Sequence, residues 1–239
     1  MAVRYETARA RAAVALALSL FAAPAAAQLS EDGAKQAAQE VRLLITEGTA
    51  VIGDLQPVIN GAKVKKDEVT PDALVNQFKA RYEKAAKAPF DAKAAGVAGD
   101  ARRAYLQAYT GVVTRYQGTI TKGGQDAFVP AFFRALVIKD FNQLMQGKAQ
   151  AYATNRDNEL INGDWAVQKV MKGSPLVPEV QKLMTGGSLE PVVKRSGDRV
   201  MGYYPMKLAP ACVSCHAQNG LKQTEGGFGG ALVAEVPIK

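Results

Sequence analysis

The stretch "PVVKRSGDRVMGYYPM", Pro191 to Met206, decides the fold class. Apolar and polar side chains alternate on either side of Ser196-Gly197-Asp198, three residues that favour a tight turn, so the stretch predicts two antiparallel strands. Moving outward, "AQAYAT" (149–154) and "GALVAEVPI" (230–238) alternate in the same way. Upstream of residue 148 the apolar spacing lengthens from two to three or four. Ser30 is a good N-cap ahead of Glu31 and Asp32, with Ala34, Ala37, Val41, Leu44 and Ile45 at helical spacing. Thr70-Pro71-Asp72 supplies a cap, a proline at the first helical position and an acid, ahead of Leu74, Phe78, Tyr82 and Ala85. "DARRAYLQAYTGVVTRY" (100–116) sets Tyr105, Ala108, Tyr109, Val112 and Tyr116 on one face, and a fourth helix beginning near Val129-Pro130 carries Phe132, Phe133, Leu136 and Leu144. These aromatic stripes read as core. Long helices followed by short antiparallel strands predict an α+β fold.

The N-terminus sets the compartment. Arg4, Arg9 and Arg11 precede "AAVALALSLFAAPAAA" (12–27), a run too short and too alanine-rich to span a bilayer, ending in small residues. It predicts a bacterial-type signal peptide, residues 1–27, cut after Ala27. A retained membrane anchor is the competing reading, disfavoured by the short apolar run. The mature chain, 28–239, is then expected to be periplasmic, without a membrane span. It reads as a single domain with a helical N-terminal part (28–125), because no internal repeat or long linker divides it. Of 30 Lys and Arg and 22 Asp and Glu, the leader takes three Arg and one Glu, so a mild basic excess of 27 over 21 remains. It concentrates in residues 61–103, with "KVKKDE" (63–68) near the start. A nucleic-acid binder would carry a denser stripe with aromatics between the charges, and no nucleic-acid partner is expected. The cluster suits solvated helix faces, or docking of an acidic protein.

"PACVSCHAQ" (210–218) holds both cysteines of the chain and its only histidine. Cys212 and Cys215, three apart on a helical turn, project to one side, and His216 can swing over the same face. This C-x-x-C-H run is the attachment pattern of haem c: two thioethers to the porphyrin vinyl groups and an imidazole on the proximal side of the iron. The alternatives are weaker. A disulfide across so short a loop stabilises little. Structural zinc wants four Cys or His ligands and the chain has three. A thioredoxin-type dithiol belongs beside a βαβ unit, not in an antiparallel region. One covalent haem is therefore expected. Nearby, "GGFGG" (226–230) would let backbone approach a flat macrocycle or else form a flexible hairpin, and Arg195, Arg199, Lys207 and Lys222 are available to its propionates.

"GYYPMKLAPACVSCHA" followed by "GGALVAEVPI" resembles the C-terminal pattern of the PAS-like c-type haem domains, a bacterial family of secreted monohaem cytochromes and extracytoplasmic sensor parts of histidine kinases. "DAFVPAFFRALVIKDFN" and "NRDNELINGDWAV" are similar to segments further upstream in that family. The likeness covers about residues 115–239. Family members often follow the arginine with asparagine and proline, whereas Arg156 precedes Asp157 and Asn158. The resemblance implies a PAS-like antiparallel sheet flanked by helices, with one haem c on Cys212, Cys215 and His216.

Two roles follow as expectations. One is an electron carrier or redox partner. The other is a sensor in which haem redox state, nitric oxide or carbon monoxide changes the shape offered to a signalling protein. The chain has no kinase segment, which favours the carrier. An enzyme is not expected, since a peroxidase-like site needs distal acid–base groups and the one histidine is already committed. The sixth iron position is the open matter. Between Gln28 and Leu144 there is no Met, so a first-helix ligand would have to be a lysine such as Lys35 or a weak oxygen donor. Met201 and Met206 lie nearest the motif among Met145, Met171, Met184, Met201 and Met206. They are an odd number of residues apart, and so face opposite sides of a strand. A five-coordinate or water-ligated iron is set here against Met ligation.

Overall fold

The computed structural model describes residues 29–60, 65, 67–122, 129–154, 159–161, 167–169, 182–183, 188–208, 210, 213 and 225–238, with side chains left undescribed at 57–60, 159–161 and 167–169. Four helices come first: α1 (Glu31–Asn60), α2 (Pro71–Ala86), α3 (Gly96–Lys122) and α4 (Pro130–Met145). Six strands follow: β1 (Gln150–Thr154), β2 (Glu159–Ile161), β3 (Val167–Lys169), β4 (Val192–Ser196), β5 (Arg199–Lys207) and β6 (Phe228–Pro237). This is an α+β fold.

The helix starts follow the capping chemistry of the sequence. Ser30 Oγ accepts from Gly33 N at 3.1 Å, and Thr70 Oγ1 accepts from Ala73 N at 3.2 Å, each satisfying a donor that the first turn leaves unpaired. Lys87 and Gln146 close α2 and α4 in left-handed conformation, φ 53° and 49°. The expected faces turn to the core, with Tyr116 and Phe132 only half-buried, and with two corrections. Ala85 is exposed and Ala86 packs instead; Leu144 is 38% exposed, and Phe141 and Met145 take the inward places on α4.

All strand pairs are antiparallel, in the order β3-β2-β1-β6-β5-β4. The last strand thus lies in the middle, between β1 and β5. That position explains why β6 is buried on both faces although its sequence alternates. One face of the sheet, through Ala151, Ala153, Val200, Tyr204, Leu232, Ala234 and Val236, joins the helices in the main core. The other face gathers Met201, Tyr203, Ala231 and Val233 with Tyr152, Val192, Phe228 and Leu183.

Aromatic rings fill the helical layer. Phe78 lies 5.1 Å from both Tyr105 and Tyr109 and 5.5 Å from Phe90 between ring centroids, and Tyr109 meets Phe133 edge-on at 5.2 Å. Gly48 is required on α1, because a Cβ there would collide with the Tyr105 hydroxyl. At the rim Glu40 binds Arg102 through both oxygens (2.8 and 3.2 Å) and accepts the Tyr82 hydroxyl at 2.7 Å, tying α1, α2 and α3 together.

Burial holds the tyrosine protons tightly. Tyr82, Tyr152 and Tyr204 are pushed up to about 12, and Tyr105 and Tyr109 are raised further, by desolvation first in every case. The unfolded chain releases these protons near pH 10, the folded chain only above it. Stability is therefore full below pH 10 and falls as the pH rises from 10 through 12. An alkaline titration is expected to show phenolate absorbance appearing together with loss of helix signal, rather than as independent ionisations.

Candidate functional site

β5 and β6 are neighbours, and the chain between them carries the C-V-S-C-H run. The neck of this connection is closed by two backbone hydrogen bonds: Leu208 N donates to Gly227 O (2.9 Å) and Gly226 N donates to Leu208 O (3.0 Å). Gly226 has φ 73°, a left-handed conformation suited to a residue without Cβ. Gly229 serves a close approach as well: a Cβ there would stand 2.8 Å from Leu208 Cδ2. The glycine run thus makes a tight neck against Leu208. Cys212, Cys215 and His216 lie outside the described residues, as does Lys222. Pro210, just before the run, and Val213, its second residue, are described; both are in helical backbone, Pro210 exposed and Val213 half-buried.

The two methionines nearest the run take opposite sides of the sheet, as their odd spacing predicts. Met201 is fully buried with Tyr203, Ala231 and Val233 on the face away from the helices. Met206 points to the helical side, where Arg134 Nη1 of α4 donates to its Sδ at 2.6 Å. Between Pro205 and Lys207 the register with β6 shifts. A shift of this kind re-aims the side chain it carries. Proline is tolerated here because β4 pairing ends at Tyr203, so among the described residues β5 beyond it has only one strand neighbour.

Lys35 lies at the other end. Its Nζ is 2.7 Å from Glu31 Oε1 and 3.8 Å from Asp32 Oδ1, and these carboxylates raise its pKa, the Glu31 hydrogen bond most. Glu31 also faces Arg195, 3.8 Å away beside the β4–β5 turn, so the start of α1 stands at the end of the sheet remote from Leu208. Arg199 belongs to that end too, bonded to Asp198 and, at 2.8 Å, to the buried Glu235. Burial raises the Glu235 carboxyl while Arg199 opposes the rise. From Arg199 to Lys207 the strand climbs about 26 Å. Arg195 and Arg199 are thus paired and remote from the neck, leaving Lys207 and the unforeseen Arg134 as the basic groups described there. The sequence signal for Arg134 was its place four and seven residues before Ile138 and Phe141, on the buried face of α4.

The basic cluster is partly internal. Arg81 reaches Glu47 (3.2 Å) and Asp54 (2.5 Å), Arg102 reaches Glu40, and Arg103 binds Asp100. Lys84, Lys87 and Lys93 remain exposed. Among the described residues no helix is long and apolar enough to cross a membrane.

Comparison of the chain with protein families, with curated proteins and with solved structures finds no match.

Proposed function

We propose that the chain is a periplasmic monohaem c-type cytochrome that exchanges electrons with a protein partner, its haem bound covalently through Cys212 and Cys215. The observation that carries this reading is the C-V-S-C-H run itself, which uses both cysteines and the only histidine of the chain. Its setting supports the reading. The run hangs from a two-bond neck at the end of the central hairpin, and chain length alone keeps the Cα of Cys212 within about 14 Å of Leu208. A sheet with helices against one face also agrees with the PAS-like arrangement that the resemblance implies.

A haem held there supplies reversible one-electron cycling between ferric and ferrous iron. The protein's part is attachment and environment. Cys212 and Cys215 give their sulfurs to the thioethers, and His216 gives one imidazole nitrogen to the proximal position. Lys207 and Arg134 place positive charge near the neck, where it suits propionates and disfavours the ferric form. Exposed Lys84, Lys87 and Lys93 suit an acidic redox partner.

A second reading, a haem-based redox or gas sensor, is favoured by the state of the described alternatives for the sixth ligand. Lys35 is ion-paired at the remote end, Met201 is buried on the far face of the sheet, and Met206 is engaged by Arg134. Carbon monoxide added to the reduced protein separates the two readings. A prompt shift of the Soret band supports an open position and the sensor; a spectrum unchanged over hours supports a saturated iron and the carrier.

A further inference from the structure

We infer that Met206 is a reversible oxidation site, with Arg134 placed to hold the oxygen of its sulfoxide. Neither residue belongs to the C-V-S-C-H run, so the site stands whether or not haem is attached. The sulfur is the reachable one. Pro205 and Met206 are half-buried and Lys207 is exposed, whereas Met145 and Met201, the other methionines among the described residues, are 1% and 0% exposed. Thioether oxidation favours sulfur that meets solvent. The oxidant class is an N-chloramine. The sulfur attacks chlorine as the N–Cl bond breaks, and water then displaces chloride. The thioether loses two electrons and gains one oxygen, while the chloramine leaves as amine, chloride and a proton. In a packed setting the new oxygen is usually disruptive, because it turns an apolar side chain polar. At Met206 a donor is already in place: Arg134 Nη1 lies 2.6 Å from Sδ. A thioether accepts weakly, so this contact stabilises the reduced form little, whereas a sulfoxide oxygen facing a guanidinium makes a charge-assisted bond. Arg134 stands in the second turn of α4 with its side chain leaning toward the helix N-terminus, where partial negative charge on the oxygen is favoured too. The register shift between Pro205 and Lys207 falls on Met206, at the strand end that leads into the Leu208 neck. Oxidation therefore ties α4 to β5 beside the neck instead of loosening them.

The test exposes the mature protein to N-chlorotaurine and locates added oxygen by peptide mass, with haem content measured before and after. Met206 is expected to gain one oxygen about tenfold faster than Met145 and Met201. Methionine sulfoxide reductases of both epimer specificities should return the original mass. Protein oxidised at Met206 is expected to melt no lower than untreated protein, with Met206→Leu, treated alike, correcting for oxidation at the remaining methionines. Arg134→Ala, oxidised at the same position, is expected to melt about 4 °C lower than its own unoxidised form. Arg134→Lys keeps a cationic donor and should respond as the wild type does. Equal oxidation rates at Met206, Met145 and Met201 overturn the inference. So does an equal fall in melting temperature on oxidation of wild type and Arg134→Ala. If Arg134→Ala does not fold, the rate ratio and the wild-type melting shift still decide the matter. If the protein carries no haem, the cytochrome reading fails and the same measurements still decide the Met206 site.

Discussion

Replacing Cys212 and Cys215 together by alanine is expected to abolish covalent haem attachment completely, leaving protein without haem colour after denaturing electrophoresis. Each thioether needs a thiolate at its own position, and the chain has no third cysteine to substitute. The helical core should survive the change. Its described buried members come from the four helices, from β1, β5 and β6, and from Val69 and Ala149 just outside them. Far-UV circular dichroism of the double variant is accordingly expected to keep the wild-type helix signal, so that loss of haem can be read as a local effect. His216→Ala should differ in kind: the thioethers remain chemically available, while the proximal nitrogen is lost and the ligand-field spectrum changes. Attachment undiminished in the double variant would place the tether elsewhere.

Phe78→Ala is expected to be the most damaging single change in the helical layer, costing about 3–5 kcal/mol. Phe78 is fully buried, and its ring meets those of Tyr82, Phe90, Tyr105 and Tyr109 at centroid distances from 5.1 to 6.3 Å. Removing it opens a cavity between α2, α3 and the segment carrying Phe90, which cannot all move inward at once. At this chain length such a loss lowers the melting temperature by about 10 °C. Leu144→Gln is the control: the side chain is 38% exposed, and its replacement should stay within about 0.5 kcal/mol. Equal effects from the two variants would mean that α4 is turned differently from the arrangement described.

The contrast between Phe78 and Leu144 also marks how far the fold is legible in the amino-acid sequence. Helix starts are readable because caps are local chemistry, as at Ser30 and Thr70, and three of the four apolar faces repeat over several turns. The inward face drifts by a residue where a helix ends, which is why Ala86 and Met145 replace Ala85 and Leu144. Strands β1, β4, β5 and β6 are readable from alternation and from the turn at Gly197. β2 and β3 are three residues each, too short for a period to register, and their pairing comes from the register of β1 and of each other. At the candidate site Met201 and Met206 lie on opposite sides, as strand parity predicts, although the register shift at Met206 interrupts the regular alternation. Arg134 does not follow in this way, because its contact with Met206 joins residues 72 positions apart, through a helix, α4, whose packing against β1 no local pattern encodes. Lys35 is the converse case. Its spacing from Glu31 and Asp32 already predicts the ion pairs that tie up its amine.

The central claim is that the C-V-S-C-H run carries a haem. The most direct measurement is peptide mass spectrometry on protein recovered from the periplasm of a host with working cytochrome c maturation. The peptide containing Cys212, Cys215 and His216 is predicted to be heavier by one haem, with both cysteines resistant to alkylation. The same peptide recovered unmodified, with two alkylatable thiols or a disulfide, would contradict the account.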